Sequence, residues 1–214
     1  ASGMKKKLLI FIVLSFCALH SSMAQTKTWM TQLELGLLGG KTKDLWEEKT
    51  NERTTLSFSA FHGKEVIRNQ ILGVYLGMDH YPIVTLLPIG VGWRGFLGKS
   101  AGSQFYGSFD LGYGSTLLEK IERTDWSSSW HESGLVIRPA VGIKLPAKKG
   151  KWALTGSIGY KRQPTYFYEG SHSQPETKPK IPLFRTRKAL PEGFSSLNST
   201  SILYHSLSFQ LGIL

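Results

Sequence analysis

Three observations predict an all-β fold: an eight-stranded up-and-down antiparallel transmembrane β-barrel with short periplasmic turns and long extracellular loops. Apolar residues alternate with small or polar ones in eight separate segments, the signature of strands that have one apolar face. The connections between these segments alternate between short and long, as on the two rims of an outer-membrane barrel. The non-apolar faces are rich in Gly, Ser and Thr and poor in the Lys and Glu that cover a water-facing surface. The apolar faces therefore look outward, to lipid, and the small polar ones fill a narrow interior.

The chain opens with a segment that is read as processed away. Ala1-Ser2-Gly3 ahead of Met4 is a cloning scar, residues 1–3. Residues 4–24 form a secretory signal peptide, with a basic start at Lys5, Lys6 and Lys7, an apolar stretch from Leu8 to Leu19, and small residues at Ser22 and Ala24 before Gln25. The barrel then occupies residues 25–214. The leader takes away three lysines and no acid, so the mature chain carries 23 basic against 15 acidic residues, a net charge of +8. Cys17, the sole cysteine, leaves with the leader, which excludes disulfides and thiol chemistry from the mature protein. No other apolar run approaches the about 18 residues of a spanning helix.

The strands follow in order. The first opens near Thr28 and sets Leu33, Leu35 and Leu37 against Gln32, Glu34 and Gly36. The second opens near Thr54, with Leu56 and Phe58 on its apolar face. The third, from Gln70, presents Leu72, Val74, Leu76 and Met78; the fourth, from Ile83, presents Leu87, Ile89, Val91 and Trp93. The fifth, from Ser103, carries Phe105, Phe109, Leu111 and Tyr113, and the sixth, from His131, carries Leu135, Ile137, Val141 and Ile143. The seventh, from Lys151, has Trp152, Leu154, Ile158 and Tyr160. The eighth, from Thr200, has the clearest alternation of all, with Leu207, Phe209, Leu211 and Ile213 against Ser206, Ser208, Gln210 and Gly212. Residues 63–69, 98–102 and 146–150 make the short rim; residues 41–53, 118–130 and 168–199, with a tight turn at 79–82, make the other.

Charges on the small polar faces are few and of both signs. Glu34, Arg94, Asp110 and Arg138 are expected to form an ion-pair network in the lumen, because isolated charges in a low-dielectric interior are costly. Lys144 and Lys161 share that face, and for them as for Arg94 the alternative is a place at a strand end, where a long basic side chain can reach water. Trp29, Trp93 and Trp152 all fall near the short-turn rim and are expected to form a girdle at the lipid interface.

The signal peptide, the eight Gly-rich amphipathic strands, the loop asymmetry and the C-terminal strand ending Leu207, Phe209, Leu211, Ile213 and Leu214 resemble the small eight-stranded outer-membrane barrels of the OmpA/OmpX kind. The resemblance spans about residues 25–214 and is one of architecture. It implies location in the bacterial outer membrane of a Gram-negative cell envelope and insertion by the outer-membrane assembly machinery, which reads the last strand. The family often ends in Phe where this chain has Leu214, and no peptidoglycan-binding domain is expected after the last strand.

Catalytic and cofactor motifs are weak. No histidine pair has zinc spacing, and no nucleophile elbow, P-loop or dinucleotide fingerprint is present, so no metal and no cofactor are expected. A serine hydrolase would need a histidine beside a serine. The candidates are His205-Ser206, whose side chains point to opposite faces of a strand, and Ser171-His172-Ser173. The long loops carry more specific chemistry. Lys178, Lys180, Arg185, Arg187 and Lys188 surround Ile181, Leu183 and Phe184, a composition suited to anionic lipid or an acidic partner. Trp126 and Trp130 are expected as exposed aromatics at a binding tip. The expected function is that of a non-enzymatic barrel whose loops bind a protein or lipid partner or support the envelope. Its partners would be outer-membrane lipids including lipopolysaccharide and an outer-membrane protein, with no nucleic acid. A lipid-modifying enzyme and a narrow small-solute channel are the alternatives.

Overall fold

The computed structural model describes residues 29–43, 50–98, 102–147, 152–173 and 193–214. The leader and the basic residues Lys178, Lys180, Arg185, Arg187 and Lys188 lie outside the described residues. The chain is all-β. Its strands are β1 (Trp29–Lys43), β2 (Thr50–Ile67), β3 (Gln70–His80), β4 (Thr85–Leu97), β5 (Gln104–Ser115), β6 (Glu122–Arg123), β7 (Ser127–Ser133), β8 (Leu135–Pro146), β9 (Ala153–His172) and β10 (Phe194–Ile213).

One antiparallel sheet rings through eight of these strands. The order is β10-β1-β2-β3-β4-β5-β8-β9, and β9 pairs back onto β10, so every strand of the ring has two neighbours. Closing the ring removes the unpaired edges that an open sheet of this length would expose. Apart from the closing pair β10–β1, and with β6 and β7 standing between β5 and β8, ring neighbours follow one another in the chain, which is an up-and-down order.

The faces sort as the alternation requires. On β10, Ile202, Tyr204, Ser206, Ser208 and Gln210 are buried inside, while Leu203, Leu207, Phe209, Leu211 and Ile213 are exposed outside. Leu214 follows Ile213 but falls on the inward parity and packs against Met30, Phe61, Ile71, Phe96 and Tyr106. The ladder is tied off there by two backbone bonds between Leu214 and Ala153.

The connections on the rim that holds Trp29 and Ile213 are short. Arg68 and Asn69 alone join β2 to β3, with Asn69 in the left-handed region (φ 61°) beside a bulge between Glu65 and Ile67. Asparagine tolerates that region better than other side-chain-bearing residues. The stretch expected as a connection from residue 63 is otherwise strand.

The opposite rim departs from expectation in three places. Strands extend into the segments expected as loops: Arg53 pairs with Gly40 and Glu52 with Lys41, so β1 and β2 run on together past Thr54. β10 begins at Phe194 instead of near Thr200 and pairs with β9 up to His172. The segment expected as a loop over 118–130 holds β6 and the first part of β7, and the sixth ring strand begins at Leu135, with His131 in β7. β7 and β8 lie end to end along β9, interrupted at Gly134. Local alternation is interrupted where the register slips: Ser133 pairs with Thr165 but Ile137 with Arg162. The described structure therefore has ten strands, eight of them in the ring.

Candidate functional site

The ring's inside is filled in layers. Nearest the short connections, Met30, Phe61, Ile71, Phe96 and Tyr106 form an apolar plug. At the other end Leu38, Tyr81, Val84, Leu86, Ile202 and Tyr204 form a second one. Tyr81 comes from the tight turn after β3 and stacks on Tyr204, ring centroids 4.1 Å apart and 7° from parallel. The Arg53 guanidinium lies 4.6 Å from the Tyr81 ring centroid and 4.7 Å from that of Tyr204. It donates to Thr55 Oγ1 at 2.9 Å and Ser206 Oγ at 2.8 Å.

Between the plugs lies a charged layer. Arg94 Nη1 is 2.6 Å from Asp110 Oδ1, and Arg138 Nη2 is 2.7 Å from Asp110 Oδ2 and 2.9 Å from Glu34 Oε2. All four residues are at most 4% exposed. Gln32 joins the two ends of the layer, accepting from Arg94 Nε at 3.0 Å and donating to Glu34 Oε1 at 3.1 Å. Ser59 donates to Glu34 Oε2 at 3.1 Å, and Arg138 Nη1 donates to Gln210 Oε1. The small residue Gly92 makes room for this packing: a Cβ there would meet Asp110 Oδ1 at 2.5 Å and the Phe61 ring at 2.9 Å.

A second buried pair, Asp79 with Lys161, lies toward the other plug. Ser57 donates to Asp79 Oδ1 at 2.7 Å, and Lys161 Nζ donates to Tyr75 OH at 3.4 Å. Lys161 is 1% exposed, so it does not reach water as its place in the sequence allowed. Asp79 was readable only as an inward-parity residue of the third strand; its partner stands 82 residues further on and carries no local signal. Lys144 stays half-buried and donates to Gln104 Oε1 at 3.2 Å. Three carboxylates and three cations thus balance in these two clusters, which satisfies the requirement that buried charge be paired.

Outside, the three tryptophans of the short-turn rim point away from the ring. Trp29 and Trp152 are exposed. Trp93 is half-buried and donates from Nε1 to Gln70 Oε1 at 2.6 Å. Trp29 stacks on His62 with centroids 5.1 Å apart.

The two loop tryptophans separate. Trp126 is 63% exposed, in the turn between β6 and β7. Trp130 corrects the expectation of an exposed aromatic: it is 3% exposed. Pairing of β7 with β9 sets it against Tyr168, 5.3 Å between centroids, and Phe194 lies 5.6 Å away on the same cluster. Its Nε1 donates to Glu132 Oε1 at 3.0 Å. The reason is the unexpected strand: in a loop the indole would project, but in β7 it joins a cross-strand aromatic row.

His172 also acquires a partner that neighbouring residues do not suggest. Its Nε2 is 2.8 Å from Ser128 Oγ, on β7, and its Nδ1 is 3.1 Å from the Asp125 carbonyl oxygen. Ser171 and Ser173 do not take that place. His205 hydrogen-bonds the Tyr160 hydroxyl on the outward face, and Ser206 faces inward to Arg53. On β7, burial lowers the pKa of the His131 imidazole, with Glu119 and then Glu122 pulling it back up. Among the described residues no group of three or more His, Cys, Asp or Glu side chains is placed to hold a metal ion. No family model matches the chain, and no curated protein matches it.

Proposed function

We propose that this chain is an eight-stranded transmembrane β-barrel of the bacterial outer membrane, a closed scaffold that acts through its long-loop end. One observation carries the reading: the ring is apolar outside and charged inside. Leu35, Val91, Val141 and Leu211 are all more than half exposed, while Arg94, Asp110 and Arg138 are at most 1% exposed. In water this arrangement would waste the hydrophobic effect on every strand; in lipid it is the stable one.

The height of the apolar belt supports the same reading. On β1 the outward positions pass from Thr31 through Leu33, Leu35, Leu37 and Gly39 to Lys41. The polar residues Thr31 and Lys41 that bound the belt stand ten residues apart, which at about 3.3 Å each is about 33 Å along the strand, or about 25 Å along the membrane normal at a tilt of about 40°, room for the belt of such barrels. His62 and Lys64 border the belt on one side, and His80, Thr85 and Arg162 on the other. The short connections would face the periplasm and the long ones the cell exterior, where they would meet lipopolysaccharide, other outer-membrane lipids or an outer-membrane protein. Residues 4–24 would direct export, and the assembly machinery would insert the chain.

Both plugs and the charged layer argue against the small-solute channel, because side chains fill the bore at three levels. The decisive experiment is fluorescence quenching of the protein refolded in vesicles of lipids brominated at successive depths. Trp29, Trp93 and Trp152 should quench most strongly with shallow bromines, and single-tryptophan variants should place all three in one leaflet. Quenching independent of bromine depth would reject membrane insertion. Single-channel conductance above background would reject the closed scaffold.

A further inference from the structure

We propose that Ser128 and His172 form a nucleophile–base pair that hydrolyses carboxylic esters with apolar acyl groups. The geometry assigns each atom a role. A carbonyl oxygen can only accept, so the contact from His172 to the Asp125 carbonyl requires the proton on Nδ1. In the neutral imidazole Nε2 then has a free lone pair, aimed at Ser128 Oγ 2.8 Å away. The serine hydroxyl is therefore the donor, and the histidine the acceptor, of that bond. This is the polarity of a hydroxyl activated by a general base that a third group orients. The main-chain carbonyl fills the orienting place that a carboxylate takes in a triad.

The surroundings suit such a pair. β7 and β9 hold the two side chains, with Ser128 opposite Gly170 and His172 anchored by its own N–H to the Trp126 carbonyl at 2.7 Å. Both groups are nearly buried, at 2% and 6% exposed, beneath the exposed turn that holds Asp125 and Trp126. The Phe194 ring meets the His172 ring edge-on, centroids 5.7 Å apart. A Cβ at Gly170 would meet that ring at 2.4 Å, so only glycine lets Phe194 lie there. Phe194, Trp130 and Tyr168 together make an apolar, aromatic cluster that reaches the His172 ring through Phe194. An acyl group that fits this cluster is apolar, and its ester carbonyl would meet Ser128.

The reaction balances with water as the co-reactant. Ser128 Oγ attacks the carbonyl carbon while its proton passes to His172 Nε2. The tetrahedral adduct expels the alcohol, which takes that proton, and an acyl-serine remains. Water then attacks the acyl carbon, giving its proton to His172. Collapse returns the proton to Ser128 and releases the carboxylic acid.

The test uses the full chain refolded in detergent micelles, with folding checked separately by the gel shift between unheated and boiled samples. A fluorophosphonate probe should add one adduct, mapped to Ser128 by peptide mass spectrometry. Hydrolysis of p-nitrophenyl butyrate and p-nitrophenyl dodecanoate should fall at least about 100-fold in Ser128→Ala and in His172→Gln, the usual worth of a nucleophile or general base. The dodecanoate should be the better substrate. A micellar phospholipid and a soluble ester, compared at equal concentration, distinguish a lipid source from a soluble one. If Ser128→Ala fails to fold, Ser128→Cys supplies the second readout. Made in a chain that also carries Cys17→Ser, its thiol is the only one, and at pH 6 it should be alkylated by iodoacetamide at least about 10-fold faster than free cysteine. A folded protein that takes no label, an unchanged rate in folded Ser128→Ala, or a thiol no faster than free cysteine would each overturn the pair. None of those results bears on the scaffold reading, which the gel shift and depth quenching test independently.

Discussion

Arg138→Met is the perturbation that most sharply tests the charged layer. In the native ring Glu34, Asp110, Arg94 and Arg138 carry two negative and two positive charges. Removing Arg138 affects its two acids unequally. Asp110 keeps Arg94 at 2.6 Å, whereas Glu34 loses the one ion-pair partner it has among the described residues. Glu34 is 4% exposed, so it becomes a buried charge without a counter-ion. Breaking such a pair on one side costs about 3–5 kcal/mol. Neutralising the orphan should recover most of that: Glu34→Gln with Arg138→Met leaves Arg94 and Asp110 intact and keeps an amide for Ser59 to contact. The double variant should therefore be more stable than Arg138→Met alone by about 2 kcal/mol, within the range of coupling between groups in contact. Asp110→Asn with Arg138→Met balances the charge count equally well but should recover less. There the surviving Glu34 and Arg94 are linked only through Gln32. Urea unfolding of the four proteins in vesicles, followed by tryptophan emission, measures the order. Equal recovery with either acid, or additive losses throughout, would refute a layer in which Glu34 depends on Arg138.

Further outcomes follow from the same structure. Val91→Arg, outward on β4, should destabilise the protein by about 2–4 kcal/mol in a bilayer if it lies near mid-membrane, and unfolding in vesicles against detergent micelles would show the loss. Trp130→Ala should cost about 3–5 kcal/mol as a buried aromatic, while Trp126→Ala should stay within about 0.5 kcal/mol; thermal unfolding separates them. Because burial lowers the His131 pKa, its neutral form favours the folded hairpin. That contribution is full above the ordinary value of about 6.5 and is lost as the pH falls from there through the folded value. Protection factors of the β7 amides, the observed exchange divided into the intrinsic rate at each pH, should be lower at pH 5 than at pH 7.5, and His131→Gln should remove the difference.

Period-two alternation determined the all-β class and the inward or outward parity of nearly every ring position, because a strand's faces alternate whatever it pairs with. It sets Glu34, Asp110, Arg94 and Arg138 on the small polar side of their strands. It could not read beyond Thr54 or Thr200 into the strand extensions, where Arg53 and Phe194 belong to polar, irregular stretches whose pattern is weak. There the ladder itself holds the strand, since β1 and β9 are already present as templates for β2 and β10. Trp130 shows the same limit: its composition suits a loop tip, and only pairing with β9 buries it. Asp79 with Lys161, and Ser128 with His172, stand 82 and 44 residues apart. Parity is a local property of the chain and survives in the sequence; who faces whom across the ring is set by closure and register, which only the tertiary structure decides.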